Sequence, residues 1–155
     1  MSRLKGITVV ATADVKTVSK PWGWEKWMAA GKPEFPYAFK IIHIRAPHKT
    51  SLQFHQRKQE TSYIKDGTAL LHYSDEPIDL PRFERNEYTK SEIAEIIGNI
   101  KTRELPPGSI YHALPGYIHR IEAVAEDITM IEVSSVELDD VSRIHDDYGR
   151  PHGKV

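Results

Sequence analysis

The sequence predicts an all-β fold, a sandwich or barrel, carrying one short inserted helix near residues 89–98. Three observations predict it. Short runs rich in β-branched and aromatic residues recur along the chain. Gly, Pro and Asp clusters punctuate those runs at the spacing of an all-β domain. One stretch alone, Ser91 to Ile97, places apolar residues at i, i+3 and i+4.

Taken in order, residues 1–19 lack clear periodicity and read as an N-terminal arm or a short edge strand. Pro21-Trp22-Gly23-Trp24 is an aromatic-rich turn, and 24–28 a short strand. Gly31 to Pro36 holds a Gly and a pair of Pro, a loop composition. Residues 37–45 favour a strand, which Pro47 ends, and 51–55 form the next. Residues 60–65 and 68–73 flank Asp66-Gly67, a hairpin signal because both residues tolerate positive φ. The helix over 89–98 has Thr89 or Ser91 as its cap and Gly98 as its stop. Pro106-Pro107-Gly108 turns the chain into strands at 109–113, 117–123 and 128–134. From Asp139 the chain is polar and charged, with one helical turn expected. Residues 20–150 read as a single domain and 151–155 as a tail.

With 155 residues, 39% hydrophobic and 28% charged, the chain can bury a core. A net charge of -1, with no basic run along any one element, argues against a nucleic-acid partner and for a small molecule. No cysteine is present, which excludes disulfides and thiolate zinc sites. Any metal must then be held by nitrogen and oxygen. Met1 to Val10 lacks a long apolar run, and no stretch is long enough to span a bilayer, so no membrane association and a cytoplasmic location are expected.

Gln53 and His55 stand two apart and share a face of a strand. Glu60 returns on the following strand, and His119 comes from elsewhere in the sheet. Two imidazoles, a carboxylate and an amide oxygen suit a divalent first-row ion: Zn, Mn, Fe, Co or Ni. His43 and His72 are candidates for the interior, as is His112 for the neighbourhood of the site; surface or packed roles are the simpler reading. His145 and His152 read as solvated. Lys40, Arg45 and Lys65 are candidate phosphate contacts, against simple strand-face solvation. Glu122 and Glu132 are candidate acid–base groups, against a charged outer face. Trp22, Trp24 and Trp27 read as closing one end of the core, with a sugar-stacking platform as the alternative.

These residues resemble the cupin superfamily, whose first motif runs G-x5-H-x-H-x3-4-E-x6-G. His55, Glu60 and Gly67 match its back half, and Gln53 stands at its first histidine. Gly116 and His119 fit the second motif, with the proline displaced to Pro115, Ala123 in place of an asparagine, and Gly108 near its start. Within the cupins the chain looks like the type II mannose-6-phosphate isomerases, the isomerase half of bifunctional mannose-1-phosphate guanylyltransferases. The shared features are Lys20-Pro21-Trp22-Gly23, Ser51 to His55, Leu114 to Arg120, Ile131-Glu132-Val133 and Asp146 to Arg150. The resemblance spans roughly 20–150. Departures are Gln56-Arg57-Lys58, Thr61-Ser62 where the family has His-Trp, and a long Gly67–Gly108 stretch.

The resemblance implies a jelly-roll barrel and a metal site of Gln53, His55, Glu60 and His119, with Arg120 near a sugar phosphate. It implies an aldose–ketose isomerase acting on a sugar or sugar phosphate, with mannose 6-phosphate as substrate. Arg120 and Glu122 are then the candidate catalytic residues, and a homodimer joined at sheet edges is expected. The alternatives are a cupin that binds metal or sugar without turnover, favoured by the lost His-Trp pair and the long insertion, and an iron-dependent cupin dioxygenase.

Overall fold

The computed structural model describes residues 6–150. Residues 1–5 of the expected arm and the expected tail at 151–155, with His152, lie outside the described residues. A 3-10 turn at Thr12–Asp14 leads into β1 (Lys16–Lys20), β2 (Gly23–Ala29), β3 (Ala38–Ile44), β4 (Leu52–Phe54), β5 (Glu60–Asp66) and β6 (Ala69–Tyr73). Helices α1 (Leu80–Glu84) and α2 (Lys90–Gly98) follow. Then come β7 (Lys101–Leu105), β8 (Ile110–Ala113), β9 (His119–Glu122), β10 (Ile128–Ser134) and β11 (Ser142–His145).

The strands form two antiparallel sheets, in the order β1-β2-β3-β10-β5-β8 and β11-β4-β9-β6-β7. The all-β class and its inserted helix hold. Among the described residues no helix is long and apolar enough to cross a membrane.

Period-two alternation aims one side of each central strand between the sheets. Along β10 the inward series is Ile128, Met130, Glu132; along β3 it is Ile44, Ile42, Lys40. The register pairs these series residue for residue: Ile128 with Ile44, Met130 with Ile42, Glu132 with Lys40. On β5 the same direction reads Ile64, Ser62, Glu60. Each strand therefore passes from apolar to polar at the same end of the barrel. The apolar end is the core, where Trp22, Ile42, Ile44, Ile64, Leu71, Ile121, Ile128 and Met130 pack together. The polar end holds the candidate site.

The insertion covers the outside of β4. Leu52 and Phe54 point away from the interior and pack with Ile78, Ile118, Phe83, Tyr88 and Ile96. The Phe54 and Phe83 rings meet edge to face with centroids 4.8 Å apart. Thr89 is the cap of α2: its Oγ1 accepts from Glu92 N–H at 3.1 Å, and Glu92 Oε2 accepts from Thr89 N–H at 2.8 Å.

Three elements depart from expectation. Helix α1 forms behind an Asp79 cap, whose side chain accepts from Arg82 N–H, with Pro81 in the first turn. Strand β7 is polar throughout except for Leu105, the pattern of a charged sheet edge. The tail from Asp139 makes a strand, not a helical turn, because β11 finds a partner in β4, pairing Ser142 with Phe54 and Arg143 with Gln53.

Two glycines are fixed by close approach. A Cβ on Gly23 would lie 1.9 Å from the His43 carbonyl oxygen, so only glycine lets β2 enter beside β3. Gly67 sits at φ +76°, and a Cβ there would lie 2.4 Å from Asp127 O.

Candidate metal centre

His55 lies one residue beyond β4, Glu60 opens β5 and His119 opens β9. The three are buried, at 1%, 4% and 6% exposure, and their ligand atoms lie within 4.8 Å of one another. This His–Glu–His group could hold a metal ion. Gln53 is the direct cross-strand partner of His119 and lines the same cavity. Its Oε1 accepts a hydrogen bond from Ser51 Oγ at 2.5 Å.

Both rings are anchored by Nδ1. His55 Nδ1–H donates to the Asp140 carbonyl at 2.5 Å, and His119 Nδ1–H donates to the Tyr117 carbonyl at 3.0 Å. A carbonyl only accepts, so each Nδ1 carries a hydrogen, and Nε2 is the ring atom left to face a ligand. His119 Nε2 is 2.7 Å from Glu60 Oε1, and His55 Nε2 is 3.5 Å from Glu60 Oε2. Neither approach has hydrogen-bond geometry; both Nε2 atoms are buried without a hydrogen-bond partner. Two buried ring nitrogens and a carboxylate clustered within 4.8 Å are the arrangement of ligands around a common centre. The donor chemistry, two imidazole nitrogens and one or two oxygens, fits a divalent first-row ion.

Charge in the cavity is arranged in two buried groups. Lys58 Nζ lies 3.0 Å from Glu60 Oε2 and 3.2 Å from Glu132 Oε1. Burial works against the Lys58 ammonium, yet the Glu132 and Glu60 carboxylates raise it above the ordinary lysine range. Burial would likewise push Glu60 up, but Lys58 and then the two histidines hold it well below the usual carboxylate range. His119 is raised: burial opposes its charge, and Glu60 outweighs burial. The field that draws a proton to His119 Nε2 draws a divalent cation to the same point.

The second group centres on Glu25, with Lys40 Nζ at 3.0 Å, Lys20 Nζ at 3.4 Å and Trp27 Nε1–H donating at 3.0 Å. Arg143 and Arg150 also line the cavity, and Ile42, Ile121 and Met130 form its apolar floor.

The remaining candidates lie elsewhere. Arg120 and Glu122 are not brought to the cavity. On the four-residue strand β9, His119 and Ile121 face inward while Arg120 and Glu122 alternate to the other side, and no bulge reverses them. Arg120 Nε–H donates to Thr50 O at 2.7 Å and its Nη2 to His145 O at 3.3 Å, with Asp147 3.7 Å away. Glu122 Oε2 sits 2.9 Å from His72 Nε2. His43 stacks on Trp24 and meets Thr129 and Asp127, and His112 pairs with Thr61. Arg45 and Lys65 are exposed. Of the weaker candidates, Lys40 and Glu132 do reach the cavity, so Glu132 is not on a charged outer face.

Sequence reasoning passed over Lys58, Glu25, Lys20, Tyr111 and the two arginines. The candidates Glu132 and Lys40 did carry a signal for the interior: Glu132 falls on the inward series of Ile128 and Met130, and Lys40 on that of Ile42 and Ile44.

No protein-family model matches the chain. Among curated proteins, the chain is similar to the D-lyxose/D-mannose isomerase of Escherichia coli O157:H7, at 32% identity over 114 residues. That stretch is 67% of this chain and 48% of the relative, so the chain spans about half the length of the curated relative it matches. Among solved structures it superposes on KdgF from Halomonas sp. with TM-score 0.60 and 16% identity, over 86% of this chain and 98% of that one. It superposes on an oxalate decarboxylase variant from Bacillus subtilis with TM-score 0.63 and 15% identity, over 91% of this chain and 34% of that one. At such identities these likenesses establish the fold, a cupin jelly roll.

Proposed function

We propose that this chain, a cupin by fold and by its histidine–glutamate motif, is a metal-dependent aldose–ketose isomerase acting on a mannose-type sugar, free or 6-phosphorylated. One observation carries the reading. A converging His55–Glu60–His119 group and a Lys58–Glu132 ion pair share a buried cavity, Lys58 touching both Glu60 and Glu132.

Isomerisation moves a proton between the carbonyl carbon and its hydroxyl-bearing neighbour. It needs two polarised oxygens and one base beside the carbon pair. In this reading Gln53, His55, Glu60 and His119 hold the ion. When bound, a divalent ion supplies Lewis-acid polarisation of the sugar oxygens. The chain's own groups do the rest. Glu132 takes the proton from one carbon and returns it to the other, in place of Glu122, which does not line the cavity. Lys58 stays charged between its two carboxylates, orients Glu132 and hydrogen-bonds the carbonyl oxygen as it gains negative charge, while the neighbouring hydroxyl gives up its own proton to that oxygen. Burial first, then Glu60, pushes the Tyr111 phenol up, so it keeps its O–H as a further donor. The floor of Ile42, Ile121 and Met130 keeps water from the reacting carbons.

The similarity to an enzyme named for D-lyxose and D-mannose supports the stereochemistry, because those two sugars share their configuration next to the aldehyde. The 6-phosphate is supported by the resemblance to mannose-6-phosphate isomerases and by the cavity cations Lys20, Lys40, Arg143 and Arg150. The phosphate contact expected at Arg120 passes to that set. A homodimer belongs to the same reading, through the edge strand β8, where Ile110 is exposed next to Tyr63 of β5; light scattering on the purified protein tests it. A cytoplasmic setting goes with a sugar-phosphate substrate.

The decisive experiment offers D-lyxose, D-mannose and mannose 6-phosphate to metal-loaded protein and measures ketose formation. Turnover of free sugars alone removes the phosphate. Absence of turnover with every aldose sinks the isomerase reading.

A further inference from the structure

We infer that Asp140 is the positioning residue of the metal-binding loop, holding the backbone of residues 56–58 with its carboxylate and the His55 ring with its carbonyl. The inference rests on the metal reading above and goes beyond it.

The loop from β4 to β5 carries His55, Lys58 and Glu60, with neither helix nor strand over 56–59. Such a segment has no ladder to satisfy its backbone donors, and a buried unpaired N–H is costly. Here the partners come from a distant stretch, 135–141. Asp140 Oδ1 accepts from Gln56 N–H at 3.0 Å; its Oδ2 accepts from Arg57 N–H at 2.7 Å and Lys58 N–H at 2.8 Å. Gln59 N–H donates to Ser135 Oγ at 3.1 Å, and Ser135 N–H to Gln59 O at 3.0 Å. His55 Nδ1–H donates to the Asp140 carbonyl. Five consecutive residues, 55–59, are thus tied to two.

Three N–H groups converging on one carboxylate are charge-assisted and define the loop's path. That path sets where Lys58 and Glu60 leave the backbone. The carbonyl sets the orientation and basicity of His55, because the partner of a ligating imidazole's other nitrogen tunes its affinity for metal. One residue therefore acts on both ends of the ligand set without entering the cavity floor.

The test compares wild type, Asp140→Ala, Asp140→Asn and Asp127→Ala by chelator competition for Co(II) and by the visible spectrum of the Co(II) protein. Asp127 is a control of the same kind: it accepts from Ala46 N–H at 2.9 Å and pairs with His43, both outside the loop. Asp140→Ala is expected to bind Co(II) about 10- to 100-fold more weakly with a shifted spectrum. Asp140→Asn, which keeps one acceptor, should fall between, and Asp127→Ala should match wild type.

Amide exchange on the wild type supplies a readout that needs no variant: Co(II) should slow exchange at Gln56, Arg57 and Lys58. A folded Asp140→Ala with wild-type affinity and spectrum overturns the inference. So does metal-independent exchange at those amides, which decides the matter if neither Asp140 variant folds. A wild type that binds no Co(II), Mn(II) or Zn(II) instead overturns the metal reading itself, and this inference with it.

Discussion

Replacing Lys58 by Met separates the electrostatic frame of the site from its ligands. The side chains are close in length, and Lys58 is 5% exposed, so the change removes a charge and little volume. What remains is a pair of buried carboxylates, Glu60 and Glu132, that shared one ammonium at 3.0 and 3.2 Å. Removing one partner of a buried ion pair costs about 3–5 kcal/mol. For a domain of this size each kcal/mol moves Tm by about 2–4 °C, so the metal-free variant should melt about 6–20 °C below wild type. The stranded carboxylates will take up protons above their unfolded pKa. The loss should therefore be smaller at pH 5 and grow toward pH 8. A divalent ion restores a cation to Glu60, and saturation at 100 to 1,000 times Kd adds about 2.7–4.1 kcal/mol. Differential scanning fluorimetry with and without chelator reads all of this. The metal-induced gain in Tm should be larger in the variant than in wild type. A metal-free variant melting within about 2 °C of wild type, or one that gains less from metal, would refute the reasoning, since a 2 °C shift is worth only about 1 kcal/mol.

His55→Ala or His119→Ala should abolish metal retention while leaving a folded, less stable barrel, measured by elemental analysis and circular dichroism; stoichiometric metal in both refutes the ligand assignment. Glu132→Gln should keep its metal yet lose about 10²- to 10⁴-fold in kcat, and an unchanged kcat would remove Glu132 from proton transfer. Burial would push the Glu25 carboxyl up, but Lys40 and Lys20 outweigh burial and hold it below the ordinary carboxylate range. A depressed carboxylate contributes stability that is present above about pH 4.5 and drains away as pH falls toward the folded value. Urea midpoints should thus show Glu25→Gln less stable at pH 7, with the gap closing by up to about 1.4 kcal/mol per unit below pH 4.5; a gap constant from pH 7 to 3 contradicts this.

What the sequence disclosed followed from local rules. Val, Ile and aromatic runs between turns located the central strands, and Thr89 with Glu92 marked a helix start that the structure keeps as a capping box. The spacing His55, Glu60, Gly67 brought two of the converging side chains into view. What it concealed depends on partners distant in the chain. β11 is polar and irregular by itself and becomes a strand only against β4. Arg120 follows His119 in sequence, and only the resemblance puts it at the site, because adjacent residues on a flat strand face opposite ways. Lys58 sits in a loop, where no periodicity says which way a side chain points. Lys40 and Glu132 were readable by alternation, but a charge among isoleucines looks like a surface residue until the barrel closes around it.

The dependence of residues 55–59 on Ser135 and Asp140 has a consequence for the order of assembly. The histidine and glutamate of the motif are synthesised long before the segment that fixes their orientation, some eighty positions downstream by the sequence separation of that contact. A nascent chain ending short of Asp140 holds the ligand residues without their geometry. On the metal reading, capture of the cation would be a late event, belonging to the finished barrel and not to a folding nucleus, because contacts of such range are formed slowly. The ion would meet the chain as a lock on a completed fold.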